Sequence, residues 1–220
     1  MPTTDEGNSA GADAPAARPA GATQRSKAKE DRRQALLAAA ASLFAVNGFK
    51  SVSLEDLGAA AGVSGPAVYR HFPGKQAVLA DLLATVSREL LDGGRKVVAE
   101  NSDPRLALRR LVEFQVDFAL GKPEVIRVQD RDLSNLSEQD QSAVRALQRS
   151  YVEVWVDVLS RLHPGTDAAE LRTRAHATFG LINSTPHSVR SHGRRMAAAA
   201  RPLLEEMALA ALTVDSPQAR

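Results

Sequence analysis

None of the 220 residues is a cysteine, so disulfides, thiolate metal sites and cysteine nucleophiles are all excluded. This usage fits a reducing compartment. Aromatic residues make up only 4% of the chain, so any place where several gather stands out. No run of about eighteen consecutive apolar residues occurs, which leaves no candidate for a membrane-spanning helix and no expected membrane partner. The first residues lack the basic-then-apolar pattern of a secretory leader, and the expected location is the cytoplasm. Catalytic patterns are scarce too. Gly62-Val63-Ser64 continues as Gly65-Pro66 and so does not form a Gly-x-Ser-x-Gly elbow, and no glycine-rich phosphate loop occurs. His187 and His192 lack the spacing of a zinc protease. The expectation is a protein that is not an enzyme and needs no cofactor or metal.

What remains is an ordinary globular balance, 44% hydrophobic and 25% charged. The charge is unevenly spread. From Gln24 to Lys75 there are eight Lys or Arg against four Asp or Glu, whereas Asp81 to Arg220 holds nineteen of each. A polyanionic partner should therefore meet the N-terminal part.

Residues 1–28 are rich in Ala, Pro, Gly, Thr and Ser without apolar periodicity, and predict a disordered arm whose distal end is basic (Arg25, Lys27). From Asp31 a helical pattern begins, with Leu36, Leu37, Ala40, Leu43 and Phe44 on one face and Asn47-Gly48 as its stop. Ser53 caps a short helix with Asp56 at its third position. Gly62 takes a turn, Val63 plugs the core, and Ser64 opens a third helix that carries Pro66 in its first turn. That helix halts at Pro73-Gly74, and a fourth runs from near Lys75 past Leu91, with Gly93-Gly94 ending or loosening it. Further helices start at Asp103-Pro104, Lys122-Pro123, Ser137 and Asp167, and a last one spans about Arg194 to Leu212. Val152, Val154, Val156 and Val158 alternate like a strand, yet Tyr151, Trp155, Val158, Leu159 and Leu162 share a helical face in a run without turn residues, so helix is expected.

Two brief helices joined at a small turn residue, the second with polar groups outward, are what a helix-turn-helix requires. The stretch from Phe44 to Lys75 also resembles the DNA-binding domain of TetR-type (TetR/AcrR) regulators. The resemblance is carried by Leu43-Phe44, Gly48-Phe49, Ser51-Val52-Ser53-Leu54, Leu57, Ala60-Ala61-Gly62-Val63-Ser64 and Val68-Tyr69-Arg70-His71-Phe72-Pro73-Gly74-Lys75. It implies an all-α fold: a helix-turn-helix domain (29–75), then a larger helical ligand-binding and dimerisation domain (76–213) and a tail (214–220).

Roles follow from the resemblance, position by position. Ser53 and Ser64 match helix caps that reach phosphates, and Pro66 and Ala67 match positions near base edges. Tyr69 matches a phosphate or base contact, and His71 and Lys75 match phosphate contacts. Arg70 fills a variable position from which an arginine reads guanine. Gly65 departs from relatives that carry a polar or basic group there, so DNA shape or the arm is expected to help.

The resemblance further implies a homodimer on double-stranded operator DNA, joined through the last two helices (Phe179, Leu181, Ile182, Leu203, Leu204, Met207, Ala208, Ala211). It also implies a small-molecule inducer. Phe114, Phe118, Tyr151, Trp155, His176, Phe179 and Asn183 are the expected pocket, suited to a largely apolar ligand such as a fatty acyl thioester. The run Arg127 to Asp132 is a candidate anchor for an anionic head group. The rival reading is a helical binding or scaffold protein without specific DNA recognition.

Overall fold

The computed structural model describes residues 20–184 and 193–214, and every regular element among them is helical. In chain order these are α1 (Ala20–Asn47), α2 (Leu54–Ala60), α3 (Gly65–Tyr69), α4 (Lys75–Glu100), α5 (Pro104–Gly121), α6 (Pro123–Asp132), α7 (Glu138–Leu162), α8 (Ala168–Asn183) and α9 (Gly193–Thr213). Single 3-10 turns at Phe49–Ser51 and Leu133–Asn135 complete the set. None of the described helices is long and apolar enough to cross a membrane. His187, His192, residues 1–19 of the expected arm and residues 215–220 of the expected tail lie outside the described residues.

Local chemistry accounts for most of the boundaries. Asp103, Ser137 and Asp167 each accept a backbone amide at the start of α5, α7 and α8. Pro104 and Pro123 occupy first-turn positions, where a missing N–H costs nothing. Gly48 ends α1 with a φ of 83°, which a side chain would resist.

The structure corrects two expectations and bears out a third. Residues 20–28 belong to α1 instead of a disordered arm. Their Ala, Gln, Lys and Arg content favours helix without offering an apolar face, and 26–30 are exposed, so the helix projects. Gly93-Gly94 does not interrupt α4, which continues to Glu100. The two glycines instead admit rings from neighbouring helices: a Cβ on Gly93 would stand 2.3 Å from Phe114 Cζ, and one on Gly94 2.6 Å from Tyr151 Cε2. The valine alternation after Tyr151 lies inside α7, with Val152, Trp155, Val156 and Val158 all buried.

Among the described residues, two hydrophobic clusters hold the chain together. The first joins α1 (Leu36, Leu37, Ala40, Phe44), Phe49, α2 (Leu54, Leu57) and Val68 of α3 with the first half of α4 (Val78 to Val86) and with Val125 and Val128 of α6. The second joins α5, α7, α8 and α9 with Leu91 of α4 and Ile126 of α6. A boundary drawn after Lys75 therefore cuts through the first cluster. Helix α6 is shared: Val125 and Val128 face one core and Ile126 the other.

Candidate nucleic-acid interface and adjoining cavity

The α2–α3 unit is built around close backbone approach. Ser53 and Asp56 form a reciprocal capping box, in which Ser53 Oγ accepts from the Asp56 amide at 3.1 Å and the Asp56 carboxylate accepts from the Ser53 amide at 2.9 Å and from Ser53 Oγ at 2.7 Å. These hydrogen bonds hold the Asp56 carboxyl below its ordinary range. Gly62 turns the chain with a φ of 67°. Gly58, which no sequence motif singled out, lies where α3 crosses α2: a Cβ there would meet Val68 Cγ2 at 2.8 Å and the Val63 carbonyl oxygen at 2.9 Å. A glycine inside a short helix, four residues before a turn glycine, was the available signal.

Beyond the crossing, α3 presents one polar face. Ser64, Pro66, Tyr69 and Arg70 are exposed, and Ser64 opens the helix without spending its hydroxyl on a cap. Tyr69 is 55% exposed, and its hydroxyl donates to Glu55 Oε1 at 3.4 Å. Glu55 thus shares the face of Tyr69. Ser64, Arg70 and His71 share an open groove with Lys29 and Arg32 of α1, so the projecting helix forms the second wall of a basic cleft. His71 is half-buried there, and its Nδ1 is buried without a partner. Burial first, and then Lys29, Arg32, Arg70 and Arg33, hold its imidazole below the ordinary value of 6.5.

Three expected contacts are placed differently. The Lys75 ammonium, expected on phosphate, donates to the carbonyl oxygens of Phe49 and Lys50 at 3.0 Å and of Val52 at 2.9 Å, and sits 4.8 Å from the centre of the Phe49 ring. An ammonium has three N–H donors, and all three are engaged. Lys75 therefore fastens the turn after α1 to the start of α4. Ala67 is only 6% exposed and so offers little surface to a base edge, although it lines the basic groove beside Arg70 and His71. Ser53 directs its hydroxyl into the capping box. Gly65 is half-buried, with open space around its Cα.

A second site lies between α4, α5, α6, α7 and α8, a cavity of about 200 Å³. Of the expected residues, Phe118, Tyr151, His176, Phe179 and Asn183 line it. Phe114 and Trp155 do not. Phe114 is drawn against Gly93, and Trp155 is fully buried behind the rings of Tyr151 and Phe179, with centroids 6.3 and 5.0 Å away. Sequence reasoning, which searched for aromatics, missed Ser87, Gln115, Gln129 and Gln148, which add polar groups to a largely apolar lining. Tyr151 Oη donates to Gln115 Oε1 at 3.0 Å, and Gln115 Nε2 donates to Asn183 Oδ1 at 3.1 Å. Burial pushes the Tyr151 phenol up, so it stays neutral.

Helix α6 connects the two sites. Gln129 and Ile126 line the cavity, while Arg131 donates to the Phe44 carbonyl near the end of α1 and pairs with Asp132 at 2.9 Å. The run from Arg127 to Asp132, a candidate anion anchor in the sequence, thus uses Arg131 and Asp132 to clamp α6 onto α1. Elsewhere Arg33 of α1 pairs with Asp81 of α4, and Gln76 donates to the Asn135 carbonyl at 2.8 Å.

A short exposed helix crossed over a capped partner, with a basic cleft beside it and a larger helical body behind, defines the class of helix-turn-helix DNA-binding proteins. Residues 36–82 match the family described as "Bacterial regulatory proteins, tetR family", and residues 101–212 match "Tetracyclin repressor-like, C-terminal domain". The chain belongs to the TetR family of transcriptional regulators.

Among curated relatives, the chain is 26% identical over 132 residues to the HTH-type transcriptional repressor KstR2 of Rhodococcus jostii, covering 60% of this chain and 65% of the relative. It is 33% identical over 103 residues to the HTH-type transcriptional activator FasR of Mycolicibacterium smegmatis, covering 46% of this chain and 47% of the relative. The matches thus span roughly half to two thirds of those relatives' lengths. The solved structure of a TetR-family transcriptional regulator from Bordetella parapertussis shares the fold, with a TM-score of 0.71 at 23% identity over 84% of this chain and 98% of that one.

Proposed function

We propose that the protein is a ligand-responsive transcription factor that binds a palindromic operator as a homodimer and acts as a repressor. The observation that carries the reading is the basic cleft: Ser64, Arg70 and His71 open on the same side as Lys29 and Arg32. Phosphate contacts from this set seat α3 against a major groove, and Arg70 is the side chain with the reach to read guanine. The two recognition helices of the dimer would enter successive grooves about 34–36 Å apart.

Dimerisation through α8 and α9 has support in the exposed apolar positions. Leu203 and Met207, 59% and 46% exposed, lie one turn apart on α9, and on α8 Gly180 is exposed with open space where a Cβ would be. Ile182 and Ala208, expected at the same interface, are buried within the subunit.

The cavity is the inducer site in this reading, and α6 carries its signal. A ligand that pushes on Gln129 and Ile126 displaces the helix whose Arg131 is tied to the end of α1. It favours release only by its differential affinity for the two arrangements. A fatty acyl thioester, the class suggested by resemblance, is longer than a cavity of about 200 Å³ holds and would extend through its open side.

The test is binding of the full chain to its own upstream DNA as salt rises. About six phosphate contacts per dimer would give a slope of log K against log salt near −5. Arg70→Ala should relax preference at one base pair per half-site. A flat salt response, or no binding, would favour the helical scaffold reading.

A further inference from the structure

We infer that the cavity between α4, α5, α6, α7 and α8 takes a compact, uncharged molecule that offers a carbonyl-type oxygen beside a flat face. The inference rests on the reading of this cavity as the regulatory site and narrows the chemistry it accepts. The first observation is charge. Among the described residues, no Asp, Glu, Lys or Arg lines the cavity, and the ionisable groups there are the neutral Tyr151 phenol and the imidazole of His176, an exposed residue. An anion drawn inside would lose water without gaining a buried counter-charge, which disfavours a carboxylate or the phosphates of a thioester cofactor.

The second observation is what replaces charge. Gln115, Gln129, Gln148 and Asn183 supply four carboxamides, groups that both donate and accept and so pair well with neutral heteroatoms. Gln115 is committed to Tyr151 and Asn183, which stiffens one wall. Two donors elsewhere on the lining have no partner. Ser87, only 2% exposed, has a buried hydroxyl with no hydrogen bond, and Gln148 Nε2 is likewise buried and unpaired. A buried donor left unmade is costly, and an acceptor oxygen on the ligand would offer such a donor its missing partner.

The third observation is shape. Tyr151 and Phe179 stack at 5.6 Å with their planes 18° apart, and Phe118 joins them on the lining. The volume of about 200 Å³ falls below the roughly 300–1,000 Å³ of sites for larger ligands. A single ring bearing a ketone, ester, lactone or amide matches this volume, and an extended acyl chain would have to reach beyond it.

The experiment is calorimetric titration of the full-length chain with three probes of one size, acetophenone, benzoate and ethylbenzene, and with palmitoyl-CoA. Acetophenone should bind at least about ten-fold more tightly than the other two small probes, the worth of one satisfied buried donor. Ser87→Ala and Gln148→Leu should each weaken acetophenone several-fold and leave ethylbenzene unchanged. Ser87→Ala should also leave the melting temperature of the free protein equal or higher, because it deletes an unpartnered hydroxyl. Equal binding of ethylbenzene, preference for benzoate or palmitoyl-CoA, or no acetophenone binding at millimolar concentration would overturn the inference. Operator affinity is measured separately with each probe. Acetophenone binding that obeys the variants but does not change DNA affinity supports the ligand class and removes the regulatory reading alone.

Discussion

A lysine at the beginning of α4 is misplaced by the rule that cations disfavour helix N-termini, and the structure supplies the compensation. Lys75 faces three carbonyl oxygens that end the preceding turn, over the Phe49 ring. Lys75→Met should therefore cost about 1–3 kcal/mol of stability in urea unfolding, while the salt slope of DNA binding stays as it was. A slope lowered by about one would return Lys75 to the phosphate contacts. His71 behaves oppositely. Burial and four neighbouring cations keep it uncharged at neutral pH in the free protein, below the ordinary 6.5. A phosphate in the cleft favours the imidazolium, so the complex holds more protons than the free protein. DNA affinity should thus rise as pH falls from about 7.5 towards 6, by at most the tenfold per pH unit that one proton allows. His71→Gln should remove that dependence, and anisotropy titrations across the pH range would show an unchanged slope if another group were responsible.

At the scale of elements, α2 and α3 depend on a missing side chain. Gly58→Ala gains helix propensity worth about 1 kcal/mol but forces a methyl against the Val63 carbonyl. Backbone cannot move aside as a side-chain tip can, so a net loss of about 1–3 kcal/mol is expected in equilibrium unfolding. A variant as stable as the parent would mean that the crossing is looser than 2.9 Å implies. The elements themselves were largely legible in the sequence because caps and stops are local. Ser53 with Asp56, Gly62, Pro104, Pro123, Ser137 and Asp167 each act within a few residues of where they stand. What was not legible depends on distant neighbours. Gly93 and Gly94 look like breakers until the rings of Phe114 and Tyr151 are placed over them. The cavity was half-legible for the same reason. Aromatics advertise themselves, whereas Ser87 and three glutamines become a wall only when α4, α5, α6 and α7 converge.

The whole molecule has an unfinished surface. Leu203 and Met207 project from α9, and α8 offers the bare backbone of Gly180, a combination suited to close packing with a second copy. Met207→Glu combined with Gly180→Glu should turn the proposed dimer into a monomer in sedimentation, because two like charges would meet their symmetry mates. Operator affinity should fall by orders of magnitude with it, since one recognition helix loses the benefit of the other. A double variant that still sediments as a dimer would move the interface to another face.

The sharing of α6 between the two cores has one more consequence. A DNA reader that borrows Val125 and Val128 for its own interior, and half of α4 besides, is not a cassette. Grafting residues 29–75 onto another sensor would leave an apolar gap where α6 had been. Exchanges of DNA preference among such proteins should therefore proceed by point changes on α3, or by recombination that carries the seam along, and hybrids joined at the obvious breakpoint should be recovered as insoluble chains.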